Sequence, residues 1–227
     1  MTSSIAWIDG QWGTAASLKL PLDDRALLLA DGLFETVLVR NGQPQLLQEH
    51  LQRWSDSAVL LGMDPPPQHN ELEPLIQEAI QRIQLNESDG ALRLNWSRGS
   101  TEQRGIALPN SSIHRFWLSL HPCSAVFTPV TTITSRHEHR NASSRLSRCK
   151  TFAYGQAIQA RREAQDQGVD DALLLNTLGA MCCGTTANLM IRRRGQWLTP
   201  ALSSGCLPGV MRGRALAQGL AGETELT

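Results

Sequence analysis

Lysine is almost missing from this chain: of 21 basic residues only Lys19 and Lys150 are lysines, and the other nineteen are arginines. Surface charge has been given to arginine. A lysine that persists deep in the sequence therefore points to chemistry a guanidinium cannot do, because an amine can lose its proton and act as a nucleophile. Also missing are an apolar run long enough to span a bilayer and a basic-then-apolar leader in residues 1–10. There is no excess of charge of either sign, since 21 basic residues face 21 acidic ones, which removes the global electrostatic case for binding nucleic acid or an anionic membrane. The five cysteines, with Cys182 and Cys183 adjacent, form neither a disulfide framework nor a zinc spacing. They read as reduced thiols, and the expectation is a soluble cytoplasmic protein.

What is present can build a core. With 227 residues and 41% hydrophobic side chains, the chain has apolar material for one large domain or two small ones. Trp7-Ile8-Asp9-Gly10-Gln11-Trp12 sets a tight-turn dipeptide between strand formers, and residues 33–39 followed by Asn41-Gly42 repeat the pattern, so an antiparallel sheet is expected early. Leu47, Leu51, Trp54, Ala58 and Leu61 form one stripe of an amphipathic helix ended by Gly62, with Arg53 beside the stripe. A second helix opens at Asn70 with Glu73 in the capping-box position and turns Leu72, Leu75, Ile76, Ala79, Ile80 and Ile83 inward. Residues 91–97 alternate as a strand, and another surrounds Phe116-Trp117-Leu118. His121-Pro122-Cys123-Ser124 reads as a linker, which divides an N-terminal α/β lobe, residues 1–121, from a second lobe, residues 122–227. There the pattern predicts a strand over 126–134, a helix over 151–167 ended by Gly168 and a strand over 172–175. A hairpin with a solvated tip is expected at Arg192-Arg193-Arg194-Gly195.

Lys150 falls where an extended segment passes into the predicted helix. Arg148, two residues earlier, would share a strand face with it and disfavour the ammonium form. Thr151 as N-cap would place the amine near the positive end of the helix. Both effects act toward a neutral, nucleophilic amine.

Several segments, in order, resemble the class IV aminotransferases. They are Asp24-Arg25 with Asp31-Gly32-Leu33-Phe34-Glu35-Thr36, Glu49-His50-Leu51-Gln52-Arg53, Cys149-Lys150-Thr151, Asp170-Asp171-Ala172-Leu173, Gly184-Thr185-Thr186-Ala187-Asn188-Leu189 and Leu207-Pro208-Gly209-Val210-Met211-Arg212. The resemblance implies a two-lobed fold type IV pyridoxal-phosphate enzyme of mixed α/β class, with a small N-terminal lobe and a larger, barrel-like C-terminal lobe. It implies that Lys150 holds pyridoxal phosphate covalently and then moves protons on the substrate. It implies further that Arg53 clamps the cofactor phosphate together with the backbone N–H groups of Val210 and Met211, and that the enzyme is a homodimer. Ser97-Arg98-Gly99-Ser100 followed by Arg104-Gly105 is similar to the paired Arg-Gly pattern of aminodeoxychorismate lyase. Arg98 and Arg104 are then expected to receive the carboxylates of a small anionic amino substrate, the task for which a planar guanidinium fork is suited.

Two departures stand out. Where the family places a glutamate against the cofactor's ring nitrogen, this chain has Cys183. At about 3 Å and an effective dielectric near 20, that carboxylate–pyridinium attraction would be on the order of 5 kcal/mol gross, and a neutral thiol does not replace it. A weaker electron sink harms a transaminase more than a lyase whose product gains an aromatic ring. The chain also ends at Thr227, where the family pattern continues, so an incomplete second lobe with an open sheet edge is expected. The leading expectation is a lyase that releases pyruvate from 4-amino-4-deoxychorismate to give 4-aminobenzoate, a folate precursor. A transaminase for a branched-chain or D-amino acid and a degenerate, non-catalytic cofactor binder are the alternatives. No metal, nucleic acid or membrane partner is expected.

Overall fold

Asp9 and Gly10 both adopt positive φ, 48° and 81°, and so fold β1 (Ile5–Ile8) directly back on β2 (Gln11–Gly13). This is the start of the first of two units, Met1–Val126 and Phe127–Thr227, in a computed structural model that describes residues 4–101, 105–109 and 113–227. A short helix, α1 (Arg25–Leu29), is capped by the Asp24 carboxylate, which accepts from the Ala26 N–H. It leads to β3 (Gly32–Arg40), and a second turn with positive φ at Asn41 and Gly42 leads to β4 (Gln43–Pro44). Helices α2 (Leu47–Leu60) and α3 (His69–Arg82) follow, and then β5 (Asp89–Ser97) and β6 (Arg115–Pro122). The six strands form one antiparallel sheet in the order β2-β1-β6-β5-β3-β4. Alternation along β3, β5 and β6 buries Leu33, Val37, Val39, Leu92, Leu94, Leu118 and Leu120 completely, and α2 and α3 bring Trp54, Leu72, Ile76 and Ile80 to the same core.

The second unit starts with β7 (Thr132–Arg140) and continues through a 3-10 turn, Arg145–Arg148, to α4 (Gly155–Asp166). From α4 the chain enters β8 (Asp171–Asn176), which lies parallel to β7 and antiparallel to β9 (Met181–Gly184). The crossover helix α4 packs on β7 and β8 through Ala160 and Ala164, both fully buried, and their small size brings the helix close to Ala172 and Leu174. A hairpin of β10 (Ile191–Arg193) and β11 (Gln196–Pro200) turns at Arg194 and Gly195, and α5 (Val210–Ala217) leads to β12 (Gly222–Thr224), parallel to β11. Among the described residues no helix is long and apolar enough to cross a membrane.

Several expectations need correction. The first unit runs past residue 121, because β6 continues through His121 and Pro122, paired with Ala91 and Gly90. The capping box of α3 is built by Gln68 and Glu71, two residues before the expected pair. The first strand of the second unit begins at Thr132, not residue 126: Val126, Phe127 and Val130 are exposed, and pairing to β8 starts at Thr132. Helix α4 begins at Gly155, so Thr151 is not its cap, and Arg148 closes a 3-10 turn and does not share an extended face with Lys150. Both local arguments for a neutral Lys150 therefore lose their geometric basis.

One charge sits in the core of the first unit. Glu35 stands in register with Leu94, which is in turn opposite Leu118, and is 1% exposed, so it occupies a position on the sheet where its neighbours are leucines. Two side chains of α2 meet it: Arg53 donates from Nε to Oε1 at 2.7 Å and from Nη2 to Oε2 at 2.5 Å, and His50 Nδ1 lies 2.8 Å from the same Oε2. Burial alone would push this carboxyl up, but the hydrogen bonds and charges of His50 and Arg53 outweigh it and hold Glu35 below the usual range. Removing one partner of such a pair costs about 3–5 kcal/mol. Arg53→Ala should lower unfolding free energy by about that amount, measured by urea titration. Because the folded pKa is depressed, the pair's stabilisation is present above the unfolded glutamate value of about 4.3 and is lost as pH falls through the folded value. Glu35→Gln should therefore flatten the acid limb of the stability profile; an unchanged limb would mean that the pair does not contribute to it.

Candidate active site

The second unit contains a cavity of about 280 Å³ whose wall is assembled from several stretches of chain. β8 and β9 supply Leu174, Cys183 and Gly184, and the loop after β9 supplies Thr185, Thr186, Ala187 and Asn188. The segment around the 3-10 turn gives Arg140, Ser144, Ser147 and Lys150, and the start of α4 gives Tyr154, Gln156 and Ala157. Lys150 projects from the extended stretch between the 3-10 turn and α4, and its Nζ is 3.0 Å from Tyr154 Oη and 5.5 Å from the centre of that ring. Tyr154 is the single tyrosine of the chain and lies four residues after the lysine. That scarcity and spacing were the signal in the sequence for a partner to the amine.

The wall carries two cations, Arg140 and Lys150, and no Asp or Glu. Arg140 also holds the turn beside it, donating from Nη2 to the Ser147 carbonyl at 2.8 Å. In the same lining, β9 breaks its pairing: Cys183 faces Leu174 and Met181 faces Leu175, which leaves Cys182 as an extra, unpaired residue. Alternation fails there, and Cys182, Cys183 and Gly184 are buried in succession. The two thiols meet. Cys183 donates to Cys182, which also receives the Ser204 hydroxyl at 3.8 Å and feels the Arg140 charge, and together these pull Cys182 below the usual thiol range against the effect of burial. The same contact, followed by burial, pushes the Cys183 thiol up.

The loop after β9 is braced from both ends. An isolated bridge joins Cys183 to Asn188. Arg161 of α4 donates from Nη2 to Thr185 Oγ1 at 2.8 Å, and Thr185 donates in turn to Asp171 Oδ1 at 2.6 Å. Asn188 Nδ2 donates to the Leu207 carbonyl at 2.8 Å, and its Oδ1 would lie 1.8 Å from a Cβ on Gly209, so only glycine fits at the N-cap of α5.

The structure therefore brings Lys150 and Cys183 to one cavity. Val210 and Met211 form the first turn of α5, where backbone N–H groups lack intrahelical partners, a few residues beyond the wall residue Leu207. Arg53 belongs to the first unit and is engaged with Glu35. Arg98 does not have the free fork expected of a substrate receptor. It is 6% exposed, and its three nitrogens donate to Asp31 Oδ2 at 2.9 Å, the Gly62 carbonyl at 2.9 Å and the Leu61 carbonyl at 3.1 Å, so it closes the C-terminal end of α2. Arg25 shares Asp31 with it at 2.8 Å. Gly99 beside it has φ 81° and no room for a Cβ, which would fall 1.9 Å from the Ile113 carbonyl oxygen. Arg104 lies outside the described residues.

Comparison with known proteins agrees with this arrangement. The model of the family described as amino-transferase class IV matches residues 32–226. A bifunctional aminodeoxychorismate lyase / D-amino acid transaminase of Mycobacterium tuberculosis is 29% identical over 197 residues, 84% of this chain and 67% of that protein. The aminodeoxychorismate lyase of Bacillus subtilis is 24% identical over 91% of this chain and 70% of its own. Among solved structures, the PLP-bound form of a hypothetical aminotransferase from Mycobacterium tuberculosis superposes with a TM-score of 0.82 at 25% identity, covering 98% of this chain and 81% of that one. With the family model matched over most of its length, from the middle strands of the first unit to the end of the second, the chain belongs to the class IV amino-transferase family.

Proposed function

We propose that the protein is a pyridoxal-phosphate-dependent lyase that releases pyruvate from 4-amino-4-deoxychorismate and leaves 4-aminobenzoate. The observation that carries this reading is the charge of the cavity: an amine and a guanidinium, Lys150 and Arg140, among hydroxyls and amides, with no carboxylate in the wall. Such a wall suits an anionic ligand. Two of the relatives are named for lyase action on aminodeoxychorismate.

The residues present fit the cofactor. A volume of about 280 Å³ is near the lower end of small-molecule sites, roughly 300–1,000 Å³. The Lys150 amine lines it for covalent attachment, and Thr186 contributes a neutral hydroxyl to the same wall. The N–H groups of Val210 and Met211, at the first turn of α5, are the proposed phosphate contacts. Pyridoxal phosphate would supply an electron sink for bond cleavage at the amino-bearing carbon. The protein's own part is to bind and to move protons: Lys150 Nζ, once free, takes and returns a proton, and Tyr154 Oη at 3.0 Å holds it in place. Arg104 is the proposed receptor for a substrate carboxylate. A cytoplasmic homodimer is part of the same proposal.

Cys183 favours lyase chemistry over amino transfer. Its thiol is neutral, buried and on the same wall as Arg140, so this side of the cavity offers a ring nitrogen no negative carboxylate. A protonated ring is disfavoured there, which weakens the sink on which transamination depends.

The reading is tested by incubating the protein and cofactor with 4-amino-4-deoxychorismate and following pyruvate and 4-aminobenzoate, in parallel with amino transfer from D-alanine or a branched-chain amino acid to 2-oxoglutarate. Equal amounts of the two lyase products and slow transfer are expected; brisk transfer with no pyruvate would make it a transaminase. Lys150→Ala should leave no borohydride-fixed pyridoxyl mass on the protein, whereas Tyr154→Phe should retain it. A fixed adduct in Lys150→Ala would move the anchor elsewhere. Cys183→Glu should shift the bound cofactor's spectrum toward the ring-protonated form and raise amino transfer by about tenfold or more, one decade for each 1.4 kcal/mol of regained stabilisation. No change in spectrum or transfer would remove Cys183 from the ring-nitrogen position.

A further inference from the structure

The pair Cys182–Cys183 is the cluster that the proposed chemistry leaves unused. We infer that these two thiols form a bidentate site for a thiophilic trivalent ligand, of the class of monosubstituted trivalent arsenicals, entered through the Lys150 cavity. This goes beyond the proposed function and stands apart from it.

The geometry comes from the break in β9. In a regular strand consecutive side chains point to opposite faces. Here Cys182 is the extra residue opposite the Leu174–Leu175 step, both cysteines are buried in one cluster, and Cys183 reaches the cavity wall. Both are free. Cys183 and Cys149 both line the cavity, but only Cys183 has a second buried thiol adjacent in sequence, Cys182, which accepts from the Ser204 hydroxyl at 3.8 Å. The Cys183 contact and the Ser204 hydroxyl hold the Cys182 thiol below its usual range, which favours the thiolate form that bonds a soft electrophile.

Two alternatives fit less well. Adjacent Cα atoms are about 3.8 Å apart across a trans peptide, short of the roughly 4.4–6.8 Å that an unstrained disulfide spans. The pair therefore resists closing on itself but can accept a bridging atom. A chelated metal ion would need more ligands. Of the two other buried thiols, Cys149 and Cys206, the latter directs its Sγ to the Pro200 and Ala201 carbonyls at 3.6 Å each, and among the described residues no group of three His, Cys, Asp or Glu could hold a metal ion.

With phenylarsine oxide the step is balanced without a redox partner. Two As–S bonds form, the arsenic–oxygen bond breaks, and the two thiol protons leave with that oxygen as water; arsenic stays trivalent.

The test uses the full chain and phenylarsine oxide, read by intact mass and by thiol titration. One arsenical per folded chain is expected, with two of the five thiols lost to titration, resistant to excess monothiol and reversed by a dithiol. Cys182→Ser and Cys183→Ser should each weaken binding by about 100-fold or more, the loss expected when an intramolecular second bond is removed. Cys206→Ser and Cys149→Ser should bind as the parent does. Circular dichroism of each variant confirms that it is folded, and peptide mapping of the adduct on the unmutated protein reads the site without any variant. An adduct mapped to other cysteines, a monothiol-reversible adduct, or none on the native protein would overturn the assignment. Preloading with pyridoxal phosphate should slow the arsenical, because Cys183 shares the wall with Lys150. If the one-to-one adduct forms but preloading has no effect, the dithiol stands and the cofactor's placement falls.

Discussion

The unpaired residue at Cys182 is the constraint on which the cavity depends. Without it β9 would alternate, Cys183 and Cys182 would face opposite sides of the sheet, and the return of the chain after Gly184 would start one residue out of phase. With it, Cys183 turns to the wall and bridges to Asn188, and Asn188 then fixes the approach to α5 through Leu207 and Gly209. The brace of Arg161, Thr185 and Asp171 holds the loop between these points against α4. A local irregularity in one short strand thus sets the positions of most polar groups that face Lys150.

Arginine has taken up structural work in both units. In the first unit, Arg53 neutralises a carboxylate in a leucine row, and Arg98 and Arg25 share Asp31 while Arg98 also closes a helix end. In the second, Arg212 is buried against the Pro200 carbonyl and Glu223, and Arg140 holds the 3-10 turn. Guanidinium groups suit this role because they remain charged when buried and satisfy several acceptors at once. Of the two lysines, Lys150 is the one that lines the cavity.

Electrostatics link the fold to the proposed chemistry. The carboxylates that lie near cations in the first unit are used up in pairs, and the cavity of the second has cations with no carboxylate in its wall. The result is a site that attracts anions and offers no strong negative partner to a ring nitrogen. That combination favours cleavage driven by an aromatic product over repeated amino transfer.

The sequence by itself determined the elements whose cause is local. Asp9-Gly10 and Asn41-Gly42 reach positive φ cheaply and so make hairpins, the apolar stripes of α2 and α3 have one helical solution, and Gly209 at the start of α5 is legible from the turn it makes. Lys150 and Cys183 could also be picked out, one by its rarity and the other by the residue it replaces. Tertiary structure decided the rest, because partners far apart in sequence carry no local signal. Whether Arg98 met a ligand or a helix end depended on where Leu61 and Gly62 came to lie, and whether Arg53 was solvated depended on Glu35 facing inward from β3. The start of β7 at Thr132 was set by its pairing to β8, not by its own apolar content. The meeting of Cys182 and Cys183 was set by a register shift, which alternation alone excludes, since period-two reasoning places neighbouring side chains on opposite faces until a long-range pairing breaks the period.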